Sequence, residues 1–184
     1  MNRELRQMAP WLVLSVAALA VVLVVRHRSA AIRSADQSAP SWQKSYLELS
    51  PVDQARFLAL RSNGLAEIEV IRGAAKQWPS VEVVSKVSPF DDPELTWVQR
   101  QHGVYVNYVG LPSAPNATAV RWLVVFIEPD PKANEPPAPI DDEHHTLSDG
   151  MGLHVTVWSQ PNEGAVPTEV LAFPVSDGWV QRSR

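Results

Sequence analysis

The sequence contains no cysteine among its 184 residues. That absence excludes disulfide bonds, thiolate-bound metals and cysteine nucleophiles, and it leaves open whether the chain works in an oxidising or a reducing compartment. Basic residues are also few, with 16 lysines and arginines against 20 aspartates and glutamates and a net charge of −4. This balance offers no basic surface for DNA or RNA, so we expect no nucleic-acid partner.

Catalytic signatures are missing as well. The chain has no Gly-x-Ser-x-Gly elbow, no phosphate-binding loop and no dinucleotide fingerprint. Ser148 and Asp149 follow His145 closely, but serine, aspartate and histidine are common loop residues and their closeness in sequence does not define a nucleophile. We therefore expect a protein that is not an enzyme.

One long apolar run stands at the N-terminus, at residues 8–25. A helix of this length, at about 1.5 Å per residue, nearly spans a hydrocarbon core of roughly 30 Å. Arg26-His27-Arg28 follows directly, where a cleaved signal peptide would carry small residues, so the pattern favours a retained signal-anchor over residues 1–28. Arginines flank the run on both sides, so charge does not decide the orientation.

Residues 29–45 are rich in alanine, serine and glutamine and are interpreted as a tether to a soluble domain over residues 46–184. The domain begins with helix signals: Ser50 as N-cap and Pro51 at the first turn. An apolar stripe with helical spacing predicts one amphipathic helix, with a possible kink at Gly64 and an end at Pro79. The stripe consists of Phe57, Leu60, Gly64, Ile68, Ile71, Ala75 and Trp78.

The remainder has the patterns of β-strands. Residues 81–83 fit a short strand or a continuation of the helix, and residues 95–101 and 104–109 predict a hairpin around His102-Gly103. The other predicted strands are residues 121–127, 153–158, 168–173 and, at an edge, 179–181. Because consecutive strands have mostly short links, we expect an α+β fold with the helix packed on a mainly antiparallel sheet of about four to six strands.

The strongest functional candidate is the segment between the strands at 121–127 and 153–158. Residues 128–154 carry seven acidic residues and one lysine, a local charge of −6 that attracts cations, and they also carry three of the five histidines. Imidazole and carboxylate groups are ligands for Zn²⁺ and similar ions. We predict a site formed by His144 or His145, His154 and a nearby carboxylate. The candidate carboxylates are Asp141, Asp142, Glu143 and Asp149.

His154 alternates with Leu153, Val155 and Val157, so its ring is expected on the opposite face of its strand. The spacing matches no closed structural zinc motif and no His-Glu-x-x-His motif. The alternative is an acidic surface loop whose histidines hydrogen-bond to their neighbours.

Several segments resemble a family of small, uncharacterised, single-span proteins of Gram-negative bacteria that are encoded beside zinc or other metal ABC uptake systems. The matching segments are 122–131, 141–145 with 149–150, and 153–158, together with 49–51, 78–79 and 105–108. The resemblance implies an inner-membrane protein that crosses the membrane once, with a periplasmic C-terminal domain and an accessory role in metal handling. Its implied partner is a metal ABC transporter or its periplasmic binding protein.

A second class of function fits the same architecture. A single span, a tether and a helix-plus-sheet domain also describe a non-catalytic envelope scaffold or assembly subunit without a metal role. The N-terminus lacks the Gly-Phe-Thr-Leu signature of pilin-like subunits, which leaves a general protein-binding module as the alternative.

Overall fold

The computed structural model describes residues 40–114, 119–129, 144–163 and 166–184. The predicted anchor over residues 1–28 and most of the predicted tether lie outside these ranges. Among the helices that are described, none is both long and apolar enough to cross a membrane.

Two helices joined by a π-helical turn lie between β1 and β2 in the chain. The helical elements are α1 (Pro51–Ala59), the π turn (Leu60–Gly64), α2 (Leu65–Ala75) and α3 (Val81–Val84), with 3-10 turns at Tyr46–Glu48 and Pro174–Asp177. The strands are β1 (Gln43–Ser45), β2 (Leu95–His102), β3 (Tyr105–Pro112), β4 (Arg121–Ile127), β5 (His144–Thr146), β6 (Gly152–Gln160) and β7 (Val180–Ser183).

The strands form one sheet in the order β1-β7-β6-β4-β3-β2, and β5 also pairs with β6. All pairs are antiparallel except β1 with β7, which is parallel. The α+β class and the mainly antiparallel sheet are therefore confirmed. The described sheet has seven strands rather than four to six, because β1 and β5 are only three residues long and too short to carry an alternating pattern.

The helix begins as its sequence predicts. The Ser50 hydroxyl accepts a hydrogen bond from the Asp53 amide at 3.2 Å and donates to the Asp53 carboxylate at 2.7 Å. The predicted kink is a π turn ending at Gly64, where an added Cβ would meet the Phe90 ring at 3.0 Å. The helix ends at Ala75, earlier than Pro79, because Lys76 takes a left-handed conformation with φ of 58°.

Both faces of the sheet are covered. The helices pack on one face, which we call the helix face, through Phe57, Leu60, Leu65 and Ile68 against alternate residues of β3, β4 and β6. The other face, the far face, buries Trp158 and Trp179 beneath Trp42 and Leu171. Trp42 stacks on Trp158 with ring centroids 6.0 Å apart. Residues 42–45 thus belong to the sheet domain, although their composition resembles a tether.

Four local predictions differ from the structure. Residues 168–173 are irregular rather than a strand, because the Asn107 side chain bonds both backbone polar groups of Leu171, at 2.6 and 3.3 Å. Residues 81–83 lie in the short helix α3. The β2–β3 hairpin is confirmed, but its turn is Gly103-Val104, with φ of +58° at Gly103 as a type II′ turn requires. Strand β7 lies inside the sheet, since β1 occupies the edge.

Candidate functional site

The β5–β6 hairpin carries the predicted histidines. Its turn is closed by hydrogen bonds from the Leu147 amide to the Met151 carbonyl and from the Gly150 amide to the Leu147 carbonyl, both at 2.9 Å. Gly150 has φ of +86°, a conformation that glycine adopts without strain. The register pairs His144 with His154 and His145 with Leu153. The turn therefore sets which histidines can meet.

His154 lies on the far face, as predicted. Its neighbours Leu153 and Val155 belong to the core under the helices, whereas its register partner on β4, Ile127, belongs to the far-face core. The His154 residue is only 7% exposed. A ligand at this position would thus be largely shielded from bulk water.

His145 lies on the helix face. Its Nδ1 atom is 2.6 Å from the Oε1 atom of Glu69 in helix α2, and both side chains are mostly buried. Successive residues of a strand alternate between faces, so His145 and His154 lie on opposite sides of the sheet. The structure therefore does not bring the three histidines together, and of the two alternatives at 144 and 145, only His144 is in register with His154.

Asp149 is held by helix α2 in the same way. The Lys76 ammonium group donates a hydrogen bond to one carboxylate oxygen, and the Met151 amide donates to the other at 3.1 Å. The hydrogen bond from Lys76, followed by that from the Met151 backbone, lowers the pKa of Asp149 below its ordinary value. Asp149 therefore functions here as an anchor of the hairpin turn.

The other end of the acidic segment is anchored on the same helix. The Glu128 carboxylate accepts hydrogen bonds from Arg72 at 2.7 and 2.9 Å and from the Trp78 indole at 2.9 Å. The Arg72 guanidinium also lies over the Trp78 ring, 5.6 Å from its centroid. Two of the seven acids counted in the sequence are thus neutralised, so the local charge of −6 falls to −4 when Arg72 and Lys76 are included.

Close packing supports this anchoring. An added Cβ at Gly73 of helix α2 would lie 2.4 Å from the Ser148 hydroxyl, so the hairpin turn touches the helix backbone there. Leu147 is buried in the helix-face core. The clamp formed by Glu69, Arg72 and Lys76 was missed by the sequence analysis. The sequence does contain a pattern that indicates the clamp, since spacings of three and four place these residues on one side of a helix.

The remaining predicted ligands, Asp141, Asp142 and Glu143, lie outside the described residues. Among the residues that are described, no group of three or more histidine, aspartate or glutamate side chains converges on a point where a metal could be held. What the described residues provide is one buried histidine, His154, directly opposite His144 at the start of β5.

Comparisons of the chain with protein-family models, with curated proteins and with solved structures gave no match. The resemblance to the single-span family beside metal uptake systems therefore stays a prediction.

Proposed function

We propose that this chain is a membrane-anchored accessory protein that binds a divalent transition metal, Zn²⁺ first, in the periplasm. The proposed ligands are His144, His154 and one carboxylate from residues 141–143. The observation that carries the proposal is the backbone register that pairs His144 with His154. Directly opposed residues of an antiparallel pair have Cβ atoms about 4.5–5.5 Å apart. Two imidazoles that start from such a distance can reach one ion at about 2.0–2.1 Å each.

The clamp on helix α2 supports this assignment by fixing the hairpin. Glu69 and Lys76 bind the hairpin through His145 and Asp149, so both of those residues are already engaged. The proposed site therefore uses fewer ligands than the sequence offered. With two histidines and one carboxylate, water completes the shell, and such an open site suits reversible capture and transfer of an ion.

The direct test is calorimetric titration of the full chain, in non-ionic detergent, with Zn²⁺. We expect binding that is lost in the His144→Ala and His154→Ala variants and kept in His145→Ala. A matched control is His102→Ala, since His102 lies three strands from His154 in the sheet, roughly 14 Å away at about 4.8 Å per strand. Zn²⁺ binding that survives His154→Ala, or no binding by the wild type at tens of micromolar metal, would exclude the proposal.

The pH dependence gives an independent check. Imidazole must be neutral to bind a metal, so affinity should fall as the pH drops through about 6.5, the ordinary pKa of histidine. An affinity that is constant between pH 7.5 and 5.5, values on either side of about 6.5, would point away from histidine ligands.

The cellular role is tested by membrane fractionation and by identifying the proteins that co-purify with this chain. We propose that residues 8–25 anchor it in the inner membrane and that its partner is a metal ABC transporter or the periplasmic binding protein of that transporter. Carbonate washing should leave it in the membrane, and native purification should recover the transporter. Recovery of a secretion or division complex instead, together with no Zn²⁺ binding, would favour the non-catalytic scaffold.

A further inference from the structure

A cleft lies on the far face of the sheet, at the edge formed by β2 and away from the β5–β6 hairpin. It has a volume of about 690 Å³. The end of the β2–β3 hairpin forms one side, and the irregular segment around residues 168–172 forms the other. The polar residues that line it are Arg100, Gln101, His102, Tyr105, Thr168 and Glu169. Its size is in the range of clefts that bind small molecules.

Arg100 is unusual among the partly buried arginines. Arg56 is bound by three carboxylates, and Arg72 is bound by Glu128. By contrast, the Arg100 guanidinium makes no hydrogen bond or ion pair with any described residue, although it shares with Arg72 a buried Nη1 atom that has no partner. Arg100 also lines the cleft, and a partly buried charge that has no counter-charge loses solvation without compensation, so it calls for an anionic partner.

The wall of the cleft is held in position beside Arg100. The cross-strand partner of Arg100 on β3 is Asn107, which is fully buried. Asn107 binds both the amide and the carbonyl of Leu171, which fixes the segment that carries Thr168 and Glu169. The cleft is therefore formed before a ligand arrives, and binding need not order a loop.

We propose that this cleft binds a small organic molecule through a carboxylate group, with Arg100 as the main anchor. A planar guanidinium matches a carboxylate with two parallel hydrogen bonds. The Tyr105 and Thr168 hydroxyls and the Gln101 amide supply further donors around it. One guanidinium balances the charge of a carboxylate monoanion but leaves a phosphate dianion with excess charge beside Glu169, the acid among the described lining residues, so the cleft favours a carboxylate.

Binding is tested by calorimetry on the full chain in non-ionic detergent, with acetate, benzoate, succinate and inorganic phosphate at millimolar concentrations. At least one carboxylate should bind, and more tightly than phosphate. Arg100→Gln should weaken that binding by at least about tenfold, as loss of a charge-assisted contact does. Lys86→Gln removes one charge from an exposed position and should leave affinity unchanged.

A stability measurement separates loss of the site from loss of the fold. Without ligand, Arg100→Met should raise the thermal midpoint, because it removes a buried donor that has no partner. Carboxylate should raise the midpoint of the wild type and leave that of Arg100→Met unchanged. The proposal fails if no carboxylate binds, if phosphate binds as tightly, if Arg100→Gln binds normally, or if Arg100→Met lowers the midpoint.

Discussion

The Nδ1 atom of His145 lies 2.6 Å from the Oε1 atom of Glu69, so strand β5 is tied to the middle of helix α2. This contact settles which face of the sheet His145 occupies and separates it from His154. His145, one of the two alternatives predicted beside His154, instead holds the hairpin against helix α2.

Replacing Glu69 by alanine should lower the free energy of unfolding by about 1 kcal/mol, the upper end of what a charged contact near the surface contributes. The local effect should be larger, since the His145 and Thr146 amides should exchange faster with deuterium. Glu67→Ala, two residues earlier in the same helix, is the matched control and should leave that exchange unchanged. Equal effects of the two substitutions would show that the contact does not hold the hairpin.

Asp149 should make stability depend on acidic pH. Its pKa is lower in the folded state than in the unfolded chain, so the unfolded state binds more protons in this range. The contribution is complete above about pH 3.9, the ordinary aspartate value, and is lost as the pH falls through the lower folded pKa. Urea unfolding midpoints of wild type and Asp149→Asn should therefore differ at neutral pH and converge in acid. Asp91→Asn, at an exposed loop position, should show no such convergence.

Arg56 should be the most sensitive charged residue. It is 8% exposed and bonds Asp53 at 3.1 Å, Asp92 at 2.7 Å and also Glu94. Burial raises the pKa of Asp92, but the hydrogen bond from Arg56, the hydrogen bond from the Glu94 amide and the charge of Arg56 together outweigh burial and hold that pKa below its ordinary value. Arg56→Met leaves three carboxylates facing one another, and we expect a loss of about 3–5 kcal/mol in denaturant unfolding.

The pH dependence of unfolding tests whether unpaired negative charge destabilises Arg56→Met. Acidification removes negative charge from the cluster and should narrow the difference in unfolding free energy between Arg56→Met and the wild type. Lys86→Met, at an exposed position, should be nearly neutral. A deficit in Arg56→Met that is independent of pH would mean that lost packing, rather than unpaired charge, causes it.

Gly110 and Gly152 offer a pair of matched substitutions within strands. A Cβ at Gly110 would meet the Trp97 ring of the neighbouring strand at 2.9 Å, whereas nothing lies within 4 Å of a Cβ at Gly152. Gly110→Ala should cost about 1–3 kcal/mol through overpacking, and Gly152→Ala should be neutral or slightly stabilising. Thermal unfolding of the two variants compares them directly, and similar midpoints would contradict the close Trp97–Gly110 contact.

Asn107 should control the irregular segment on the far face. Asn107→Leu keeps a similar volume but removes both bonds to Leu171, so we expect a loss of about 2 kcal/mol at about 1 kcal/mol per bond. Hydrogen exchange should show the Leu171 amide losing its protection. Protection that persists in Asn107→Leu would mean that another contact holds the segment.

The sequence predicts those parts of the fold whose signals are local. Ser50 and Pro51 mark the helix start, the Phe57–Ile68 stripe marks its buried side, and alternation marks the long strands β2, β3, β4 and β6. It does not predict β1 or β5, since three residues carry no period. The pairing of β1 also depends on β7, which lies far along the chain. Residues 168–173 have the composition of a strand, but the single Asn107 side chain binds their backbone instead.

The candidate site was predictable to the same extent. The side of the strand on which His154 lies follows from alternation alone. The separation of His145 from it does not, because that depends on the register of a three-residue strand and on Glu69, about 75 residues earlier in the sequence. The role proposed for Arg100 could not be predicted from the sequence, because a single arginine on a strand does not indicate whether a carboxylate lies beside it.

The parallel pairing of β1 with β7 affects the order in which the domain folds. It joins the first strand to the last, and the Gln181 amide bonds the Trp42 carbonyl at 2.9 Å. Contacts so distant in sequence form late, because a large loop must close before they can be made. Before β7 has been synthesised, β1 has no strand to pair with, so Trp42 is not held against Trp158. The segment that ends at Trp179 is also missing from the surface of Trp158. A newly made chain thus exposes aromatic surface until residues 180–183 have been synthesised, and tryptophan fluorescence should report when that surface becomes buried.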